Sequence, residues 1–214
     1  MSFGYPVMLE LAGRRCVVIG AQAIRERKVD GLLAGGADDV VVVDPSVGDR
    51  FEGVAGVRFE RRAWRPADLD GAFLVIASSD DAATRAAIAR EARARRAIVN
   101  VIDDVPNCDW AAPAVVRRGD LVLAIATGGA SPAVARMIRE ELETTFGEEW
   151  AEVLRVVGAV RRETLTAIPD FAERARRWRV ALDLQEAAEL VREGRGAELA
   201  QRLRARLFDQ AAVS

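Results

Sequence analysis

Short apolar runs alternating with helix-periodic stretches organise the first half of the chain. Arg14-Arg15-Cys16-Val17-Val18-Ile19-Gly20 reads as a buried strand ending in glycine. A helix follows over 23–34, stopped by Gly35-Gly36. The run 40–43 is a second buried strand, closing at Asp44-Pro45. A short strand is predicted at 57–59, then a loop with one helical turn at 62–70. The third clear apolar strand, 72–77, runs into Ser78-Ser79-Asp80-Asp81, which can cap a helix over 82–95. A further strand at 97–102 ends at Asp103-Asp104. Strands alternating with helices of this length imply a parallel sheet, and such sheets bind ligands beyond the carboxyl ends of their strands. Gly20, Asp44, Ser78, Ser79 and Asp103 fall on that edge.

The rhythm then breaks. Residues 111–117 and 121–126 flank Arg118-Gly119-Asp120 as a β-hairpin, which suggests an antiparallel extension of the sheet or a second layer. Next comes Thr127-Gly128-Gly129-Ala130-Ser131-Pro132, with Ser131 placed to cap a helix and Pro132 at its first position. Paired glycines free the backbone to turn N–H groups toward a ligand, and a helix N-terminus adds positive dipole, so the stretch suits a carboxylate or a phosphate. A plain strand-to-helix connection explains the same residues. Beyond Gly147 the pattern is helical throughout: 149–166, 171–182, 184–192 and 197–208. The expected division is 1–112, 113–148 and 149–214, giving an α/β chain with a parallel-sheet domain, a small α+β region and a helical C-terminal domain.

Composition narrows the chemistry. The 214 residues include no histidine, which removes imidazole-based triads, HExxH zinc sites and imidazole proton shuttles. Proton transfer falls to carboxylates, Lys, Tyr, Cys or the substrate. The 31 basic and 33 acidic residues nearly balance, so nucleic acid is not an expected partner. There is no long uninterrupted apolar stretch and no basic-then-apolar start, so no membrane partner and a cytoplasmic location are expected. Cys16 and Cys108 lack CxxC spacing and read as reduced thiols, and no metal-ligand cluster is visible.

Glycine after the first strand and an acid at the end of the second is the layout of a dinucleotide-binding, Rossmann-like unit. Asp44 lies about 24 residues beyond Gly20, near the spacing at which a carboxylate accepts ribose hydroxyls and disfavours a 2′-phosphate, so NAD is expected over NADP. The candidate cofactor residues are Gly20, Ala21, Gln22, Ala23 and Ile24 of the first turn, Asp44 and Pro45 after the second strand, and Ser78, Ser79 and Asp80. Laid on Gly20, the G-x-G-x-x-G/A template places Gln22 and Arg25 at the other glycine positions, so one of three matches.

Taken in order, five stretches resemble the precorrin-2 dehydrogenase family, which includes the dehydrogenase/ferrochelatase module of siroheme synthases. They are 13–20 with Arg27-Lys28, Ala77-Ser78-Ser79-Asp80-Asp81, Asn100-Val101-Ile102-Asp103-Asp104, 113–120, and Thr127-Gly128-Gly129-Ala130-Ser131-Pro132-Ala133-Val134-Ala135. The resemblance runs from about Pro6 into the C-terminal helices. It implies NAD-dependent oxidation of precorrin-2 to sirohydrochlorin, with insertion of Fe(II) as a chelation substrate in some members, and a homodimeric protein. It also implies that Asp103 is the functional aspartate and that Thr127 lies at the tetrapyrrole substrate or a regulatory site. A carboxylate-rich tetrapyrrole calls for backbone donors and cations, which Thr127, Gly128, Gly129, Ser131, Arg117 and Arg118 can supply. The family shows a glycine triplet where this chain has Gly20-Ala21-Gln22.

Overall fold

The computed structural model describes residues 4–21, 23, 27–46 and 52–208. These fall into two compact units, Met1–Ala112 and Pro113–Ser214. The first is built on a five-stranded, fully parallel sheet in the order β3-β2-β1-β4-β5, with β1 Arg15–Ile19, β2 Asp39–Val43, β3 Val57–Glu60, β4 Leu74–Ala77 and β5 Ile98–Val101. Helix α1 (Lys28–Ala34) connects β1 to β2, and helix α2 (Ala82–Ala94) connects β4 to β5.

Strand alternation explains why the apolar runs are continuous. Val17, Ile19, Val41, Val43, Val75, Ala77, Val99 and Val101 share one buried cluster with Ile88, Ala89 and Ala92 of α2. Cys16, Val18, Val40, Val42, Leu74 and Ile76 share another with Val29 and Leu32 of α1. Side chains two apart point to one face, so a sheet covered on both faces needs apolar residues at every position. The expected single helix over 23–34 is interrupted: Ala21 and Ala23 are helical, but Arg27 lies in the left-handed region at φ 59°, and α1 starts afresh at Lys28.

The second unit holds a two-stranded antiparallel sheet, β6 Ala114–Arg118 with β7 Leu121–Ile125, turning at Gly119-Asp120. The hairpin is a sheet of its own and does not extend the parallel one. Gly119, at φ 56°, lies so close to Ala151 that an added Cβ would meet the Ala151 Cβ at 3.0 Å. Helix α3 (Pro132–Thr145) follows, then α4 (Glu149–Ala167), α5 (Phe171–Ala181), α6 (Leu184–Arg192) and α7 (Gly196–Phe208). The segment 113–148, expected to stand apart from 149–214, shares one unit with it. The reason is packing: Leu121 and Phe146 lie against the cluster formed by Trp150, Val153, Val156, Val160, Leu190, Leu203 and others, and the Phe146 and Trp150 rings sit 5.3 Å apart. Among the described residues no helix is long and apolar enough to cross a membrane.

Candidate active site at the carboxyl edge of the parallel sheet

The strand register pairs Val43 with Ile19, Ile19 with Ala77, and Ala77 with Val101. The next residue of each strand therefore stands in one row, Asp44, Gly20, Ser78 and Ile102. Backbone bonds run one residue past the strands to hold that row: Gly20 N–H to Val43 O (3.1 Å), Ser78 N–H to Ile19 O (2.8 Å) and Ile102 N–H to Ala77 O (2.9 Å). Adjacent strands lie about 4.8 Å apart, so the row spans roughly 14 Å across the point where the strand order reverses, between β1 and β4.

Gly20 makes the first turn at φ 93°, and a Cβ there would lie 2.1 Å from the Ser78 carbonyl oxygen. No other residue fits so close to the neighbouring strand. The Ser78 hydroxyl, placed among the cofactor candidates, is buried and committed: it accepts from Ala23 N–H at 3.1 Å and donates to Ile19 O at 3.4 Å. Its position ties the first turn to β4. Ala23 is fully buried, Ala21 is half-buried, and Gln22 and Ile24 lie outside the described residues.

Asp44 is half-buried at the end of β2 beside exposed Pro45. One carboxylate oxygen accepts from the backbone N–H of Ser46 at 2.7 Å and from its hydroxyl. Ser79 is half-buried and its hydroxyl accepts from Asp81 N–H at 3.2 Å, while Asp80 is exposed. Asp81 caps α2, accepting from Ala83 and Thr84 N–H at 3.4 and 2.7 Å.

Asp103 is exposed and left-handed, at φ 58°. Aspartate is among the few non-glycine residues that tolerate this region, and such strain concentrates at functional positions. Its neighbour Asp104 accepts from Arg85 Nε at 2.8 Å and from the Asn107 amide at 3.1 Å. Arg85 first, then Asn107, holds the Asp104 carboxyl below the usual carboxylate range, so this ion pair persists until the pH falls well into the acid range. Cys108 anchors the far end of the loop: Val101 N–H donates to its Sγ at 3.1 Å and the thiol donates to Val101 O at 3.1 Å. Burial pushes this thiol up, and pushes the Cys16 thiol up to about 11, so both free cysteines stay protonated. Arg85 and Asn107 were not singled out from the sequence, and Cys108 was read there only as a reduced thiol. The available signal for Arg85 is helical spacing, since it lies four residues after the Asp81 cap and is carried back toward the strand ends.

In the second unit, Ser131 caps α3, accepting from Val134 N–H at 3.3 Å, with Pro132 next. Gly128 and Gly129 have φ of 61° and 84°. The Thr127 hydroxyl donates to Ser131 O at 3.1 Å and accepts from Ser131 N–H at 3.4 Å, closing the loop on itself. Arg117 is exposed, whereas the Arg118 side chain is only 14% exposed and donates to the carbonyls of Arg117 (3.0 Å) and Glu143 (3.3 Å). Arg118 braces the hairpin against the end of α3, and Arg117 is the outward-facing cation of the pair.

The first unit fits a dinucleotide in the bare, sharply turned backbone at Gly20 and the carboxylate one strand away at Asp44. Comparison with known proteins agrees. Residues 7–114 match the family model described as putative NAD(P)-binding, and residues 118–145 match that of the sirohaem biosynthesis protein central domain. The chain is 34% identical over 210 residues to siroheme synthase from Methylococcus capsulatus, covering 97% of this chain and 44% of that protein. It is 33% identical over 201 residues to siroheme synthase 1 from Serratia proteamaculans, covering 92% and 42%. It thus spans less than half the length of these curated relatives. The solved structure of SirC, a precorrin-2 dehydrogenase, superposes with a TM-score of 0.73 at 26% identity, covering 94% of this chain and 98% of that one.

Proposed function

The chain belongs to the family of precorrin-2 dehydrogenases and siroheme-synthase dehydrogenase modules, and from that premise we propose that it oxidises precorrin-2 to sirohydrochlorin with NAD. The observation that carries the reading is the row at the carboxyl edge: Asp44, the Gly20 turn and the β4 loop stand side by side, with Asp103 just beyond β5. NAD, when bound, supplies the hydride acceptor. The turn at Gly20, Ala21 and Ala23 receives the pyrophosphate, Asp44 the ribose hydroxyls, and Ser79 and Asp80 border the cofactor from the β4 loop.

The oxidation removes a hydride and a proton from precorrin-2, so a base must take the proton. Asp103 fills that role because it is an exposed carboxylate on the same edge in a chain without histidine. The same carboxylate can accept pyrrole protons during Fe(II) insertion, with Fe(II) as a substrate. Within the second unit, Thr127, Gly128, Gly129 and Ser131, together with Arg117, offer donors to substrate carboxylates.

Titration with nicotinamide cofactors tests the reading. NAD is expected to bind saturably, with a Kd at or below the millimolar range, and more tightly than NADP. Asp44→Ala should narrow that preference by about tenfold, the effect of one charge-assisted contact. No saturable NAD binding at millimolar concentration would overturn the dehydrogenase reading.

Assembly as a homodimer belongs to the same proposal. Helix α3 buries none of its residues within the chain and leaves Val134, Met137 and Ile138 at 46%, 68% and 42% exposure, and Val115 of β6 is also exposed. Such a face calls for a partner, and a second copy supplies an identical one. Met137→Glu is expected to weaken the dimer by roughly 100-fold or more, because it would bury a charge in an apolar contact. Sedimentation analysis across a dilution series reads this directly.

A further inference from the structure

We propose that Arg85 is a positioning residue that holds the base-bearing loop after β5 at a fixed place relative to the cofactor-side loop after β4. This rests on Asp103 being the base. The two arms of the Arg85 guanidinium go to different loops. Nε donates to Asp104 Oδ2 at 2.8 Å, and Nη1 donates to the carbonyls of Ser79 (2.8 Å) and Asp80 (3.2 Å). Both partners of the ion pair are largely shielded, with side chains 24% and 14% exposed.

The base of the bridge is itself fixed. Arg85 sits in the first turn of α2, and its N–H donates to the carbonyl of Asp81, the capping residue, at 3.1 Å. At the other end, Asp104 N–H donates to Val101 O at 3.1 Å, and Asn107 closes on the Asp104 carboxylate. Asp103 lies between these attachments in a left-handed conformation, which persists where neighbours enforce it. A planar guanidinium can span two loops with fixed geometry, whereas the single ammonium of lysine cannot do so in the same way. Since catalysis loses on the order of 100-fold for a displacement near 1 Å, the setting of one loop against the other is a rate-determining feature of the edge.

The test uses the full chain, with precorrin-2 oxidation followed anaerobically and NAD affinity measured separately for Arg85→Ala, Arg85→Lys, Asp104→Asn and Asp103→Asn. Arg85→Ala is expected to lower kcat by about 30- to 100-fold while the KM for precorrin-2 and the Kd for NAD change less than threefold. Arg85→Lys should lie between the wild type and the alanine variant. Asp104→Asn, which leaves Arg85 and α2 intact, should lower kcat in the same direction and keep the test decisive if Arg85→Ala fails to fold. The double variant Arg85→Ala with Asp104→Asn should fall little below the single ones, because both remove one contact. A residue that only stabilises the fold would lower the melting temperature and leave kcat per folded molecule unchanged. If Asp103→Asn is inactive but Arg85→Ala and Asp104→Asn keep kcat within twofold, the positioning role is overturned and the base reading stands. A loss of NAD affinity as large as the loss of kcat also overturns it, by placing Arg85 at the cofactor alone. If Asp103→Asn stays active, the base reading falls, and this proposal with it.

Discussion

Asp103→Asn is expected to lower the rate of precorrin-2 oxidation by about 1,000-fold, within the range that a positioned general base contributes. Asparagine keeps the shape of the side chain and, like aspartate, tolerates the left-handed backbone found at φ 58°. The position is exposed, so no buried charge is removed. NAD affinity should therefore change less than twofold, and the melting temperature should remain close to that of the wild type. Single-turnover oxidation at saturating NAD, paired with calorimetric NAD titration, separates the two quantities. An unchanged rate would remove Asp103 from the chemistry.

Gly20→Ala should have the largest structural effect of any single substitution on the cofactor edge. Two costs add. A side chain at φ 93° is strained, and the new Cβ would lie 2.1 Å from the Ser78 carbonyl oxygen, which is backbone and cannot swing aside. Together these amount to about 2–5 kcal/mol. The turn must also move to relieve the clash, so NAD affinity should drop by at least about tenfold. Gly36→Ala provides the control: its φ is 87°, but nothing lies within 4 Å of the added Cβ, so it should cost about 1–2 kcal/mol with no effect on NAD. Denaturant unfolding of both variants reads the difference. Equal costs would show that the turn relaxes freely around Ser78.

The parallel sheet was legible because its strands are buried on both faces, which leaves an unmistakable signal such as Val40 to Val43. The β4 strand starts at Leu74 and not at the apolar Ala72, because Ala72 N–H bonds Leu69 O and completes the preceding turn. The Ser131 cap and the Pro132 start were readable for a similar reason, since caps depend on adjacent residues. What the sequence hid were contacts between distant segments. Arg118 looked like an available cation, yet it donates to the carbonyl of Glu143, 25 positions away. Ser78 looked like a ligand contact, yet its hydroxyl reaches back 59 positions to Ile19. The two runs flanking Arg118-Gly119-Asp120 announced a hairpin but could not say which sheet it joined, and it forms a sheet of its own. Arg85 carried no motif, and only the meeting of two loops at the sheet edge gives it a role.

The most direct measurement is the anaerobic conversion of precorrin-2 by the purified chain with NAD, following the tetrapyrrole and NADH absorbance together. One NADH is expected to appear for each sirohydrochlorin formed, at a rate that depends on NAD concentration and collapses in Asp103→Asn. Sirohydrochlorin forming no faster than without the protein, or forming without matching NADH, would contradict NAD-dependent oxidation at the carboxyl edge of the sheet.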